Sequence, residues 1–481
     1  MHNLMRRILS AAVVATLVAC GGGGGGNFAG IDRLGVTTGT ITGFGSIIVN
    51  GVEYATTGAT FNIDDNPTGL LSSLEVGQTV TVRWSSSDDG VTRRADEVFY
   101  DDSVEGPITA ASINPLTQSF VVLGQTVLVD ADTSFASPLF DLGSLQAGDF
   151  VKVSGLLDKN GAVRATRIER KAAGGEIEIH GIVSARTATT FAIDGQVVDT
   201  ATAIIDAPGG VINDGDFVEA KGTAVNGAGQ LIATRVELED GSDAVGESGD
   251  EAEVEGYVDS FTDATSFSVA GIPVVSNVTA TGGTVALNAK VRVEGEFNAS
   301  GAIVAQEVEV RTGADGSAVD ARIAANLDSF TATTGHTGQV VLLGVTVLVD
   351  ANTRLEDQRA PEVRDFSLTD LQAGATPDYL EIRGIAQGNN TVRATLLQRQ
   401  EPDLQGLLRG PLAALNDPDF TILGVLVKTD NSTDFGDVAN FFGGDAVVGD
   451  EVAVKFPLNL PGGASTPILE AADEVEIESS N

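Results

Sequence analysis

One small strand-rich unit recurs six times along this chain, and that repetition limits the folds open to it more than any other feature. A fixed period means copies of one supersecondary unit. One segment type is a turn followed by alternating apolar residues, as in Leu145-Gln146-Ala147-Gly148-Asp149-Phe150-Val151-Lys152-Val153. It returns at Leu74–Val82, Ile212–Gly222, Leu287–Gly295, Leu371–Gly384 and Val448–Lys455. The alternation is that of a strand with one buried and one wet face. Val151, Val153, Val291 and Val293 are expected to point inward, and Lys152, Arg292 and Glu294 outward.

A second segment opens each unit around a small residue: Ile41-Thr42-Gly43, Val104-Glu105-Gly106, Ile179-His180-Gly181, Val254-Glu255-Gly256, Ile323-Ala324-Ala325 and Leu404-Gln405-Gly406. Between opener and turn lies a hairpin. Its tips are Asn50-Gly51, Leu123-Gly124, Asp194-Gly195, Ala270-Gly271, Leu343-Gly344 and Leu423-Gly424. Asn-Gly and Asp-Gly favour such tips because both positions tolerate positive φ. A third type closes each unit, as in Ala165-Thr166-Arg167-Ile168-Glu169.

Five short strands in about 60–80 residues leave exposed edges unless the sheet closes. The expected fold class is therefore all-β, a tandem array of small five- to six-stranded, OB-like antiparallel β-barrels. Small β-sandwiches are the runner-up. The modules are read as 39–102, 103–171, 176–240, 254–311, 320–400 and 402–478, with an acidic linker at 241–253. Contacts are expected between neighbours in sequence, as in other repeat arrays. Helical periodicity is confined to short loops such as Phe140–Leu145.

The amino terminus is read as a lipoprotein signal peptide over residues 1–19. Arg6 and Arg7 precede an apolar run from Ile8 to Ala19. That run is too short to span a bilayer core, which needs about 20 residues, and suits a signal-peptide core. Leu17-Val18-Ala19-Cys20 resembles the lipobox of bacterial lipoproteins, which implies acylation of Cys20, the sole cysteine. Glycine-rich residues 20–38 then form a tether. Gly21 follows the cysteine where an Asp would favour inner-membrane retention, so the resemblance implies the outer membrane of the cell envelope.

The run Gly43-Phe44-Gly45-Ser46-Ile47-Ile48-Val49-Asn50-Gly51, with Leu74–Val82 after it, resembles the bacterial domain-of-unknown-function family 5666. Members are typically exported lipoproteins with tandem small β domains. The resemblance implies fold and localisation and no catalytic residue.

Side-chain chemistry narrows function further. The chain carries 28 Lys and Arg against 67 Asp and Glu, a net charge of −39. Nucleic acid is thereby excluded as a partner, because phosphate binding draws on clustered basic residues. His180 and His336 are the histidines that remain after cleavage, and both are read as exposed. They argue against zinc and against a Ser-His-acid triad. The paired carboxylates Asp64-Asp65, Asp88-Asp89, Asp101-Asp102 and the Glu247–Glu255 cluster are the abundant resource. None has the EF-hand spacing. Val129-Asp130-Ala131-Asp132-Thr133 and Val349-Asp350-Ala351-Asn352-Thr353 are read as strand ends with Asx turns, with a calcium loop as the alternative. Gly43-Phe44-Gly45 is read as a bulged first strand rather than a phosphate loop.

The reading is a non-enzymatic, lipid-anchored envelope protein displaying β modules for structural, adhesion or protein-contact roles. No catalytic residue, metal ligand or cofactor is assigned. The membrane is the partner of the lipid anchor, with an envelope protein or glycan as a further partner. The alternative is a ligand-binding array for oligosaccharide, peptide or calcium, and behind it a carboxylate-based enzyme.

Overall fold

The computed structural model describes residues 33–479 apart from 45, 87–92, 131, 137–138, 140–141, 240–243, 313–319, 389, 437–439, 459–467 and 470–471. The segment read as a signal peptide, Cys20 and the glycine run lie outside the described residues, as does Asp88-Asp89.

The first module shows the plan. It runs β1 (Leu34–Phe44), β2 (Ile47–Val49), β3 (Val52–Ala55), the short β4 (Thr60–Ile63), β5 (Thr79–Ser86) and β6 (Arg93–Tyr100). β1 pairs antiparallel with β2 and β5, β2 with β3, and β5 with β6; β3 and β4 both run parallel to β6. The circuit β1-β2-β3-β6-β5-β1 is closed. This is a five-stranded OB-like barrel. The second module repeats it with Val104–Pro107, Ser119–Val122, Gln125–Leu128, Phe150–Leu157 and Val163–Lys171, closed by the Ile108–Val122 bridge. The remaining four modules keep this order, with one extra strand, Ser329–Ala332, ahead of the hairpin in the fifth. The described residues contain no α-helix, only single 3₁₀ turns such as Leu71–Ser73 and Leu142–Ser144 ahead of the fourth barrel strand.

The hairpin tips fall where the sequence places them. In all six, the first tip residue has φ between 47° and 53°, and the glycine between 73° and 86°. That conformation costs a leucine roughly 1–2 kcal/mol. Packing offsets it: Leu123 is buried and covers Gly106, where a Cβ would sit 3.2 Å from its Cδ1. The opener glycine is small because the tip folds over it. This rule corrects two openers. Gly39, not Gly43, faces Asn50, and Gly410, not Gly406, faces Leu423. Both segments carry glycines four residues apart, and only the hairpin partner decides between them. Gly43 lies instead at the irregular register between β1 and β2, a bulge as expected.

Two boundaries also move. β1 begins at Leu34, so residues 34–38 belong to the first barrel rather than to the tether. The strand Glu251–Asp263 takes in residues 251–253, read above as linker, and Ala244 and Val245 pack on the core of the fourth module.

The larger departure is in how modules meet. Each first strand has a divided edge. In modules one, four and six its later half pairs with its own second strand, and in all six an earlier part pairs with the first strand of another module. Val104 and Glu105 pair antiparallel with Ile179 and Glu178, joining modules two and three. Arg322–Ala324 pair with Leu407–Arg409, joining five and six. Gly35–Thr38 run parallel to Glu251–Val254, joining one and four. The expected contacts between sequence neighbours are present, and the last pair adds one between modules distant in sequence. Modules two and three share one apolar core, and five and six another.

Glycine is also required where the fourth strand bulges against the fifth. A Cβ on Gly384 would lie 2.2 Å from the Arg393 carbonyl oxygen. Gly384→Ala should therefore force two backbones apart and cost about 1–3 kcal/mol. A urea titration reads this as a lower midpoint; an unchanged midpoint would contradict the close approach.

Candidate functional site, a buried charged hub

The valines read as inward are buried, at Val151, Val153, Val291 and Val293. Their polar neighbours do not all meet water. Lys152 is 8% exposed. Part of the surface that a single barrel would turn to solvent is, in this chain, turned to other barrels, and its charges meet across the seams.

Module two lies at the centre of these contacts. Lys152 Nζ reaches Asp64 of module one at 2.7 Å. Tyr100 Oη and Ser154 Oγ share a hydrogen bond of 2.8 Å across the same seam. Arg167 pairs with Glu356 of module five at 3.1 Å, and Arg383 donates to the Thr133 carbonyl at 3.1 Å. Lys290 of module four pairs with Asp132 at 2.7 Å. The Arg164 guanidinium stacks 4.8 Å from the Tyr257 ring centre of module four.

The richest cluster forms where modules one, two and three meet. Asp64 and Asp65 sit at the end of β4, both in the left-handed region, with φ of 49° and 61°. This turn aims the two carboxylates at different lysines. Asp64 takes Lys152, and Asp65 takes Lys221 at 2.9 Å. Lys152 also faces Asp102 at 3.4 Å and Glu105 at 3.8 Å. Lys221 contacts Glu219 at 2.7 Å and Glu178 at 3.6 Å. Two of the carboxylate pairs singled out by sequence, Asp64-Asp65 and Asp101-Asp102, thus converge here.

His180 belongs to the same cluster, and the sequence reading of it as a free surface position is corrected. Its side chain is 13% exposed, with Nε2 3.1 Å from Glu219 and 3.4 Å from Glu178. Equivalent positions in the six copies have unequal surroundings, and here the neighbouring strand brings Glu219 against the ring. His336 is half-buried rather than exposed, and it lies near Gly43 of module one.

Acid exceeds base in this cluster, and proton affinities respond. Burial and the neighbouring Asp102 charge push Glu105 up to about 8. Burial, then Asp102 and Glu219, hold Glu178 well above the carboxylate range. Glu219 goes the other way: burial alone would raise it, but the hydrogen bond and charge of His180, with Lys221, hold it down to about 2. His180 is correspondingly raised, because the Glu219 bond outweighs burial.

The Asp130 and Asp350 segments form Asx turns, as read. The Asp130 N–H donates to Thr133 Oγ1 at 3.0 Å, and the Asp132 N–H donates to Asp130 Oδ1 at 2.8 Å. Asp350, Asn352 and Thr353 repeat both bonds. Asp132 has a second role, in the Lys290 pair, that its motif did not signal. In the Glu247–Glu255 cluster, Glu253 is buried and bonded to Arg292 at 2.9 Å.

The architecture defines a class of closed OB-like modules in tandem. The chain belongs to the family described as Domain of unknown function (DUF5666), whose model matches six times, over residues 36–98, 105–169, 180–237, 255–309, 328–398 and 409–466. No curated protein matches the chain.

The raised carboxylates fix the sign of a pH dependence. Folded Glu105 keeps its proton between its ordinary value of 4.5 and about 8, where the unfolded chain has lost it. Its contribution to stability is therefore full below 4.5 and is lost as pH rises to 8. Thermal melts at pH 5 and pH 8 should show a stability decline that Glu105→Gln flattens. A decline of equal size in that variant would contradict the assignment.

Proposed function

We propose that this is an exported, non-enzymatic lipoprotein of the cell envelope that presents six β modules as one assembled body, for a structural, adhesion or protein-contact role. The observation that carries the reading is that the modules turn their first-strand edges and charged faces toward one another. Such an arrangement yields one stiff body with a large acidic exterior, suited to display. The acidic exterior keeps copies apart by self-repulsion.

The sequence supplies the anchor. Cys20 follows a short apolar segment and precedes six glycines. Diacylation there meets the two-chain requirement for stable membrane attachment. Gly21 in place of Asp supports the outer membrane as destination.

Fatty-acid labelling in a host that processes lipoproteins tests the anchor. The wild-type chain should incorporate label and fractionate with the envelope. Cys20→Ser should lose both. Absence of label on the wild type, or label that survives Cys20→Ser, would overturn the reading.

A further inference from the structure

We propose that Glu178, His180 and Glu219 form a binding site for one divalent transition-metal ion of the zinc class. The three residues lie on one rigid surface. The strands Ile177–Ile182 and Phe217–Val225 pair antiparallel, with His180 directly opposite Glu219. Glu178 stands two residues before His180 and so on the same face. Their donor atoms all lie within 4.8 Å of one another.

The distances suit an ion. His180 Nε2 lies 3.1 Å from Glu219 Oε1 and 3.4 Å from Glu178 Oε1. A tetrahedral zinc with bonds of about 2.0–2.1 Å holds its ligand atoms roughly 3.3 Å apart. Three protein ligands would leave a fourth position for water. The mixed imidazole and carboxylate set favours a transition metal over calcium, which takes six to eight oxygens.

A separate observation points into the same site. Glu178 is 2% exposed, and its Oε1, the atom aimed at His180, has no hydrogen-bond donor. A buried carboxylate oxygen needs a proton or a cation to compensate it, and an ion bound here would take the place of the proton. Around the site Asp65, Asp101, Asp102 and Glu239 add negative charge, against Lys221 and Arg235. Lys221 already contacts Glu219, and Asp65 at 2.9 Å can keep the ammonium when an ion binds. Asp101 and Glu239, both exposed, leave an approach from solvent.

The test uses the mature chain, residues 20–481, stripped with chelator and titrated calorimetrically with zinc chloride and, separately, calcium chloride. The wild type should bind one zinc per chain. His180→Ala and the near-isosteric Glu219→Gln should each weaken binding by about tenfold or more. His336→Ala should leave it unchanged, and calcium should not displace the zinc. Cobalt(II) absorption reports coordination in the same variants independently of heat. Absence of zinc binding by the wild type would overturn the proposal. So would unchanged affinity in a His180→Ala protein whose circular dichroism and melting match the parent.

Discussion

A closed barrel of this kind still leaves half an edge open. The second strand meets only the later part of the first, so the earlier part of one side has no partner within the module. Backbone groups left there would need water or another strand. In this chain they take another first strand. Glu105 against Glu178, Ile323 against Leu408 and Val36 against Ala252 are the same solution in three places. Pairing of barrels is thus built into the module, and the three sheets of this protein follow from it.

Charge is what the pairing leaves at the seams. Strand positions that would face solvent in an isolated barrel are enclosed once barrels stack, and several carry Lys, Arg, Glu or Asp. Burying such groups is costly, and matched pairs contribute little net stability compared with apolar packing. Their value is in selection. A barrel docked in the wrong place would leave Lys152 or Lys221 enclosed without Asp64 or Asp65, and removal of one partner from a buried pair costs about 3–5 kcal/mol. The charges therefore specify which copy meets which, a problem that six similar modules must solve.

Much of the single module was legible in sequence. Tip dipeptides such as Asn50-Gly51, period-two valines such as Val151 and Val153, and the strand count together determine an OB-like barrel. What surrounds a module was not legible. A lysine at an alternate strand position looks the same whether it faces water or Asp64. The run Leu34–Thr38 reads as tether because its partner, Glu251–Val254, is more than two hundred residues away. His180 looked interchangeable because the other five copies place unlike residues there, and only the neighbouring strand carrying Glu219 gives it a setting. The local hydrogen-bonded turns at Asp130 and Asp350 were readable because the donors and acceptors lie within three residues of one another.

The central claim is that the six barrels form one body in which the first module clasps the fourth. A protease site engineered between modules three and four, cut in the folded protein and followed by size-exclusion chromatography, tests it most directly. The account predicts that both fragments co-elute at the size of the intact chain and part only in denaturant. Two separate peaks, each the size of three modules, would contradict it.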